Sequence, residues 1–127
     1  MTTGGCLCGA VRYEIAGPLR GVLICHCVDC RRWHGHVCAM TAVRREDLVI
    51  DDERDLRWFR TETSDAHARR GFCGRCGSSL FWDAPGRETV SVSAGTLDGA
   101  SGLRILGHIY SAQAGDYYEA PPVEGSE

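Results

Sequence analysis

The chain has 127 residues, enough for one domain with a small core. Its 43% hydrophobic and 24% charged residues suit an ordinary globular protein, and a net charge of −3 argues against binding to nucleic acid or an anionic membrane. No apolar run approaches the roughly 18 residues of a membrane span.

In chain order, Val11, Tyr13 and Ile15 alternate with polar residues and predict a half-buried strand, closed by Gly17-Pro18. Gly21 to Ile24 predicts a short strand that runs into a dense cysteine cluster. Val28 to His34 suits one or two helical turns, with Asp29 near the start and Gly35 after the end. Further strands are expected at Val37 to Val43, Leu48 to Ile50, Leu56 to Thr61 and Ala68 to Phe72. Ser78 to Trp82, Thr89 to Ala94 and Ile105 to Tyr110 complete the set. Many short strands with frequent turns and no long helical period predict an all-β fold. With no internal repeat or linker, residues 1–119 read as a single domain and 120–127 as a frayed acidic tail.

Met1 to Cys6 lacks the basic and apolar regions of a secretory signal, so a cytoplasmic setting is expected. There, 8 cysteines in clusters point to metal or catalysis rather than to disulfides. Cys73-Gly74-Arg75-Cys76-Gly77 is the most specific signal. Glycine after each cysteine lets the backbone turn so that N–H groups face the thiolates, which offsets their charge. This knuckle offers two of the four ligands that zinc takes, and Cys6 and Cys8, also flanked by glycine, are the natural complement. Cys25, Cys27 and Cys30 remain, three thiols in six residues with no fourth in the segment. Three protein ligands and an open position are the pattern of a catalytic zinc site; closure by Cys38, His26, His34 or His36 would make it structural. Iron in the four-thiolate site is a further chemical option. Cys38, on an apolar strand, reads first as a small buried hydrophobe.

These residues resemble the glutathione-dependent formaldehyde-activating family, which includes the centromere protein V type domains. The resemblance spans residues 4–119 and is carried by three segments, starting at Gly4-Gly5-Cys6-Leu7-Cys8-Gly9, Cys25-His26-Cys27-Val28-Asp29-Cys30 and Gly71-Phe72-Cys73-Gly74-Arg75-Cys76. Gly95-Thr96-Leu97-Asp98 and His108-Ile109-Tyr110 add weaker support. The resemblance implies a β-tent fold of small antiparallel sheets. It implies two zinc ions, a structural one on Cys6, Cys8, Cys73 and Cys76 and a catalytic one on Cys25, Cys27 and Cys30. It also implies a carbon–sulfur lyase that runs in the synthetic direction, joining glutathione and formaldehyde into S-hydroxymethylglutathione.

A zinc with three thiolates is a weak Lewis acid but suits the holding of an incoming thiol as thiolate. Attack of that sulfur on an aldehyde forms an alkoxide, for which His26 and His34 are candidate proton donors. Each also has a plain role open to it, as a backbone hydrogen-bonding group or a surface residue. Arg31 and Arg32 are candidates to hold the carboxylates of a glutathione-like ligand, as are Arg69 and Arg70, since every basic residue is Arg. Trp33 is a candidate pocket wall. The alternative from another class is a zinc-stabilised binding module with no chemistry of its own. A nucleic-acid zinc finger is disfavoured, because the chain is acidic and no basic recognition helix follows either knuckle.

Overall fold

The computed structural model describes residues 1–62, 64 and 66–121. The expected acidic tail, 120–127, therefore falls mostly outside the described residues. Ten strands and one α-helix follow in chain order: β1 (Thr2–Gly5), β2 (Arg12–Ile15), β3 (Val22–Cys25), α1 (Val28–His34), β4 (Cys38–Arg44), β5 (Leu48–Ile50), β6 (Leu56–Arg60), β7 (Arg69–Cys73), β8 (Ser79–Asp83), β9 (Thr89–Ser93) and β10 (Ile105–Ile109). Single 3-10 turns occupy Arg45–Asp47, Ala94–Thr96 and Ser111–Gln113. The all-β expectation holds. Among the described residues, no helix is long and apolar enough to cross a membrane.

The strands form two sheets. One is antiparallel and three-stranded, in the order β1-β2-β5; the other has seven strands in the order β10-β3-β4-β9-β8-β7-β6. Within the larger sheet, β10 pairs with β3 in parallel. Side-chain periodicity carries no information on strand direction, so this pairing was not legible in the sequence. β1 was missed as well. Its sequence, Thr-Thr-Gly-Gly, has no apolar alternation, yet it pairs with β2 in register from Thr2↔Ile15 to Gly5↔Arg12. Glycine is needed at position 4, where a Cβ would collide with the Tyr13 ring and the Thr96 carbonyl.

The core lies between the sheets. Val11, Tyr13 and Ile15 present one face of β2 and are almost fully buried, as the alternation predicts. Leu80 and Phe81 of β8 and Val92 of β9 meet them, and Tyr13 meets Phe81 edge-on at 5.5 Å between ring centres. Cys6 and Cys73 belong to this same cluster, so two of the clustered cysteines are anchored directly in the hydrophobic core. A second, smaller cluster joins Cys30, Cys38 and Met40, with Cys25, Cys27 and Trp82 packed against it.

Asp83 closes β8 as a largely buried carboxylate, accepting from Arg45 Nη2 at 2.6 Å and Arg69 Nε at 3.1 Å. Burial opposes its ionisation, but the two guanidinium groups prevail and hold its pKa below the usual value. A depressed carboxyl pKa stabilises the fold above the unfolded-state value and loses that contribution as pH falls through the folded one. Asp83→Asn is therefore expected to cost about 1–3 kcal/mol at neutral pH. Denaturant melts of both proteins should converge as the pH drops below about 4. A gap that persists into acid would assign the effect to packing instead.

Candidate metal centres and the cavity beside them

Cys6 and Cys8 follow β1 in a turn that also brings Val11 N–H to Cys6 Sγ at 3.2 Å. Cys73 ends β7, and the next turn sends the Arg75 and Cys76 N–H groups to its sulfur at 3.3 and 3.5 Å. These are the backbone donors that the glycine spacing predicts. Gly77, at φ 81°, takes the left-handed conformation that closes the turn. The four sulfurs lie within 4.8 Å of one another. Cys6–Cys8 and Cys8–Cys73 are 3.6 and 3.8 Å apart. A tetrahedron with metal–sulfur bonds of about 2.3 Å has edges of about 3.8 Å, so the donor set fits a thiophilic divalent ion. The Ser78 hydroxyl helps bind the halves, accepting from Leu7 N–H at 3.0 Å and lying 3.2 Å from Cys76 Sγ. It, with the Cys8 and Ser78 backbone groups, lowers the Cys76 pKa to about 5. A thiol so readily ionised is prepared for coordination.

The second cluster is built from the end of β3 and the start of α1. Cys25 is the last residue of β3; Cys27 caps α1, its sulfur accepting from Cys30 N–H at 3.3 Å; Cys30 lies one turn in. Asp29 sits in the first turn, and Gly35 ends the helix at φ 79° with its N–H on the Arg31 carbonyl. The three sulfurs also lie within 4.8 Å of one another. Hydrogen bonds from Cys25, Cys27 and Cys38 drive the Cys30 pKa far down against the cost of burial, with the Arg70 charge adding to them. Cys25 and Cys38 are pushed up, chiefly by donating toward neighbouring sulfurs. Cys38 faces Cys25 across the β3–β4 ladder and is 3% exposed, the buried position its apolar strand predicts.

A cavity of about 590 Å³ opens on this cluster. Cys25, Cys27, Cys30 and Cys38 all line it, with Met40, Trp82 and Ile109 as apolar wall. Arg20, Arg70 and Arg87 bring positive charge, Asp29 brings one carboxylate, and Tyr110 and Gln113 also line it. The four-cysteine cluster contributes nothing to this wall.

The remaining candidates are dispersed. His26 is 2% exposed, with Nδ1 2.6 Å from Tyr118 Oη and Nε2 3.0 Å from His108 Nδ1. His34 is half-buried, and desolvation lowers its pKa. Neither histidine is among the residues that line the cavity. Arg32 and Trp33 line a separate, smaller hollow of about 280 Å³, together with Phe59 and Arg70. Trp33 donates to Ser79 Oγ at 3.1 Å and stacks on Phe59. Arg31 is half-buried, lines neither hollow, and buries its Nε without a hydrogen-bond partner among the described residues. Of the four arginines proposed as carboxylate holders, Arg70 alone reaches the cavity. Arg20, Arg87 and Trp82 were not singled out for the site, because they lie on strands or turns with no local motif.

An all-β frame carries one four-cysteine and one three-cysteine cluster, each of which could hold a metal ion. The model of the family described as "Glutathione-dependent formaldehyde-activating enzyme" matches residues 1–113, and the chain belongs to that family. It is similar to a Schizosaccharomyces pombe protein described as an uncharacterized lyase, with 22% identity over 117 residues, 91% of this chain and 82% of that protein. It also resembles the crystal structure of a Rhodobacter sphaeroides protein, with a TM-score of 0.60 and 25% identity across 79% of this chain and 91% of that one.

A metal ion held by the four-cysteine cluster would tie together residues 65 positions apart, and its binding free energy would then be folding free energy. Cys73→Ser should give insoluble protein or a much lower melting temperature, and a strong chelator should lower the melting temperature of the unaltered chain. A soluble Cys73→Ser chain that melts normally would refute a folding role for this cluster.

Proposed function

We propose that this protein is a zinc-dependent carbon–sulfur lyase acting on a thiol adduct, with glutathione as thiol and formaldehyde as carbonyl partner. The observation that carries this reading is the three-sulfur cluster exposed to an arginine-walled cavity, in a chain of the glutathione-dependent formaldehyde-activating family. Zinc would be held by Cys25, Cys27 and Cys30 at the reacting site and by Cys6, Cys8, Cys73 and Cys76 as a structural ion. When bound at three thiolates, such an ion lowers the pKa of a thiol that takes its fourth position.

The chain's own residues supply the rest. The cavity's volume of about 590 Å³ suits a tripeptide thiol, and three arginines against the single carboxylate of Asp29 leave its wall complementary to carboxylates. Arg87, whose guanidinium lies 5.0 Å above the Trp82 ring, is well placed to receive one at the cavity rim. In the synthetic direction a sulfur–carbon bond forms, the carbonyl π pair moves to oxygen, and the thiol's proton ends on that oxygen. The open cavity lets solvent carry that proton. His26 serves this reaction from behind the cluster: its bonds to His108 and Tyr118 fix the segment that carries Cys25 and Cys27.

Cys27→Ser should remove about one metal per chain and abolish activity toward glutathione and formaldehyde while the protein stays folded. Loss of both metals, or none, would contradict this division of labour.

Calorimetry should show glutathione binding to the metal-loaded protein and S-methyl glutathione binding far more weakly, because a thioether is a poor zinc ligand. Arg87→Ala should weaken glutathione by about tenfold or more, the loss of one charge-assisted contact. Equal binding of glutathione and its S-methyl form would refute the thiolate mechanism. Binding of neither would leave a zinc-stabilised binding module as the better account.

A further inference from the structure

Arg70 lies on β7, the strand next to the β6 edge of the larger sheet, in register with Phe59 of β6 and Trp82 of β8. It is 5% exposed. A guanidinium removed from water needs an anionic partner, because an uncompensated buried charge costs several kcal/mol. Its hydrogen bonds run to a sulfur: Nη1 and Nη2 approach Cys30 Sγ at 3.8 and 3.7 Å. Both prongs of the guanidinium thus converge on one sulfur. The guanidinium also lies over the Trp33 ring, whose centre is 6.0 Å from the guanidinium carbon and whose N–H is anchored on Ser79.

The four-cysteine cluster is served differently. Its sulfurs receive backbone N–H groups and the Ser78 hydroxyl, all neutral donors. Three thiolates overbalance a divalent ion by one negative charge, and Arg70 supplies one positive charge. A fourth thiolate entering such a site meets a roughly neutral centre rather than an anionic one. Water or a neutral ligand gains nothing from that compensation.

We propose that Arg70 is a positioning residue of the three-cysteine site: its two-pronged contact orients the Cys30 thiolate, and its charge lets an anionic sulfur join three others. The inference rests on the reading that this cluster holds a metal.

The test loads the full chain with cobalt(II), whose sulfur-to-metal charge-transfer bands report the thiolates, and measures second-site affinity by competition with a chromophoric chelator. Arg70→Gln should weaken the second site about ten- to a hundredfold, leave the first site filled and shift the charge-transfer band. Arg70→Lys, which keeps the charge but not the fork, should recover part of the affinity and keep a shifted band. Unchanged affinity and spectrum in Arg70→Gln would overturn the proposal. If the Gln variant does not fold, Arg70→Lys decides alone, and wild-type affinity with a wild-type band would overturn the guanidinium role. An unaltered chain that binds only one cobalt ion would instead overturn the metal reading beneath it.

Discussion

The structure depends on bringing four sulfurs from opposite parts of the chain to one point. Cys6 and Cys8 leave β1, a strand with almost no side-chain surface of its own, and Cys73 and Cys76 leave β7 in the other sheet. A short glycine-rich strand cannot hold its place by burial alone. Its lattice of contacts is therefore polar and sulfurous. Gly4 fits beneath Tyr13, Leu7 N–H reaches Ser78, and Cys6 packs into the core beside Cys73. The last two of these tie the small sheet to the large one, and the shared sulfur cluster lies at the junction.

The second cluster is made possible by a different constraint. A loop carrying three thiols would wander without an outer support, and the C-terminal segment provides one. The Ile109 carbonyl accepts from His26 N–H at 3.0 Å, and Gln113 Oε1 accepts from Val28 N–H at 3.0 Å. Tyr118 meets the His26 ring, and Tyr117 meets His36 at 2.6 Å. The parallel strand β10 thus acts as a brace whose far end also supplies Tyr110 and Gln113 to the cavity. Rigidity behind the sulfurs and openness in front of them are what a site that exchanges one ligand requires.

Much of this was legible in the sequence. The grouping of cysteines into four and three followed from glycine spacing and ligand arithmetic, and the clusters assemble that way. Nine of the ten strands were visible as alternation or apolar runs, and Cys38 proved buried as its strand implied. The cavity was not legible. Arg20, Arg87, Trp82 and Gln113 meet there because of sheet order, and sheet order is a property of long-range pairing that no local pattern encodes. The same reason explains Arg32, which adjoins the cluster in sequence yet lines the other hollow. A residue on a helix faces a direction set by its turn, so proximity in sequence was a poor guide to proximity in space.

The central claim is that the two clusters differ in one respect: the first is saturated by protein sulfurs and the second keeps a position for a thiol. X-ray absorption at the metal edge of the zinc-loaded protein counts sulfur neighbours directly. With both sites filled, the average should be about 3.5 sulfurs per zinc, rising to about 4 when glutathione is added. An average of four sulfurs before any thiol is added, or a value that glutathione leaves unchanged, would contradict the account.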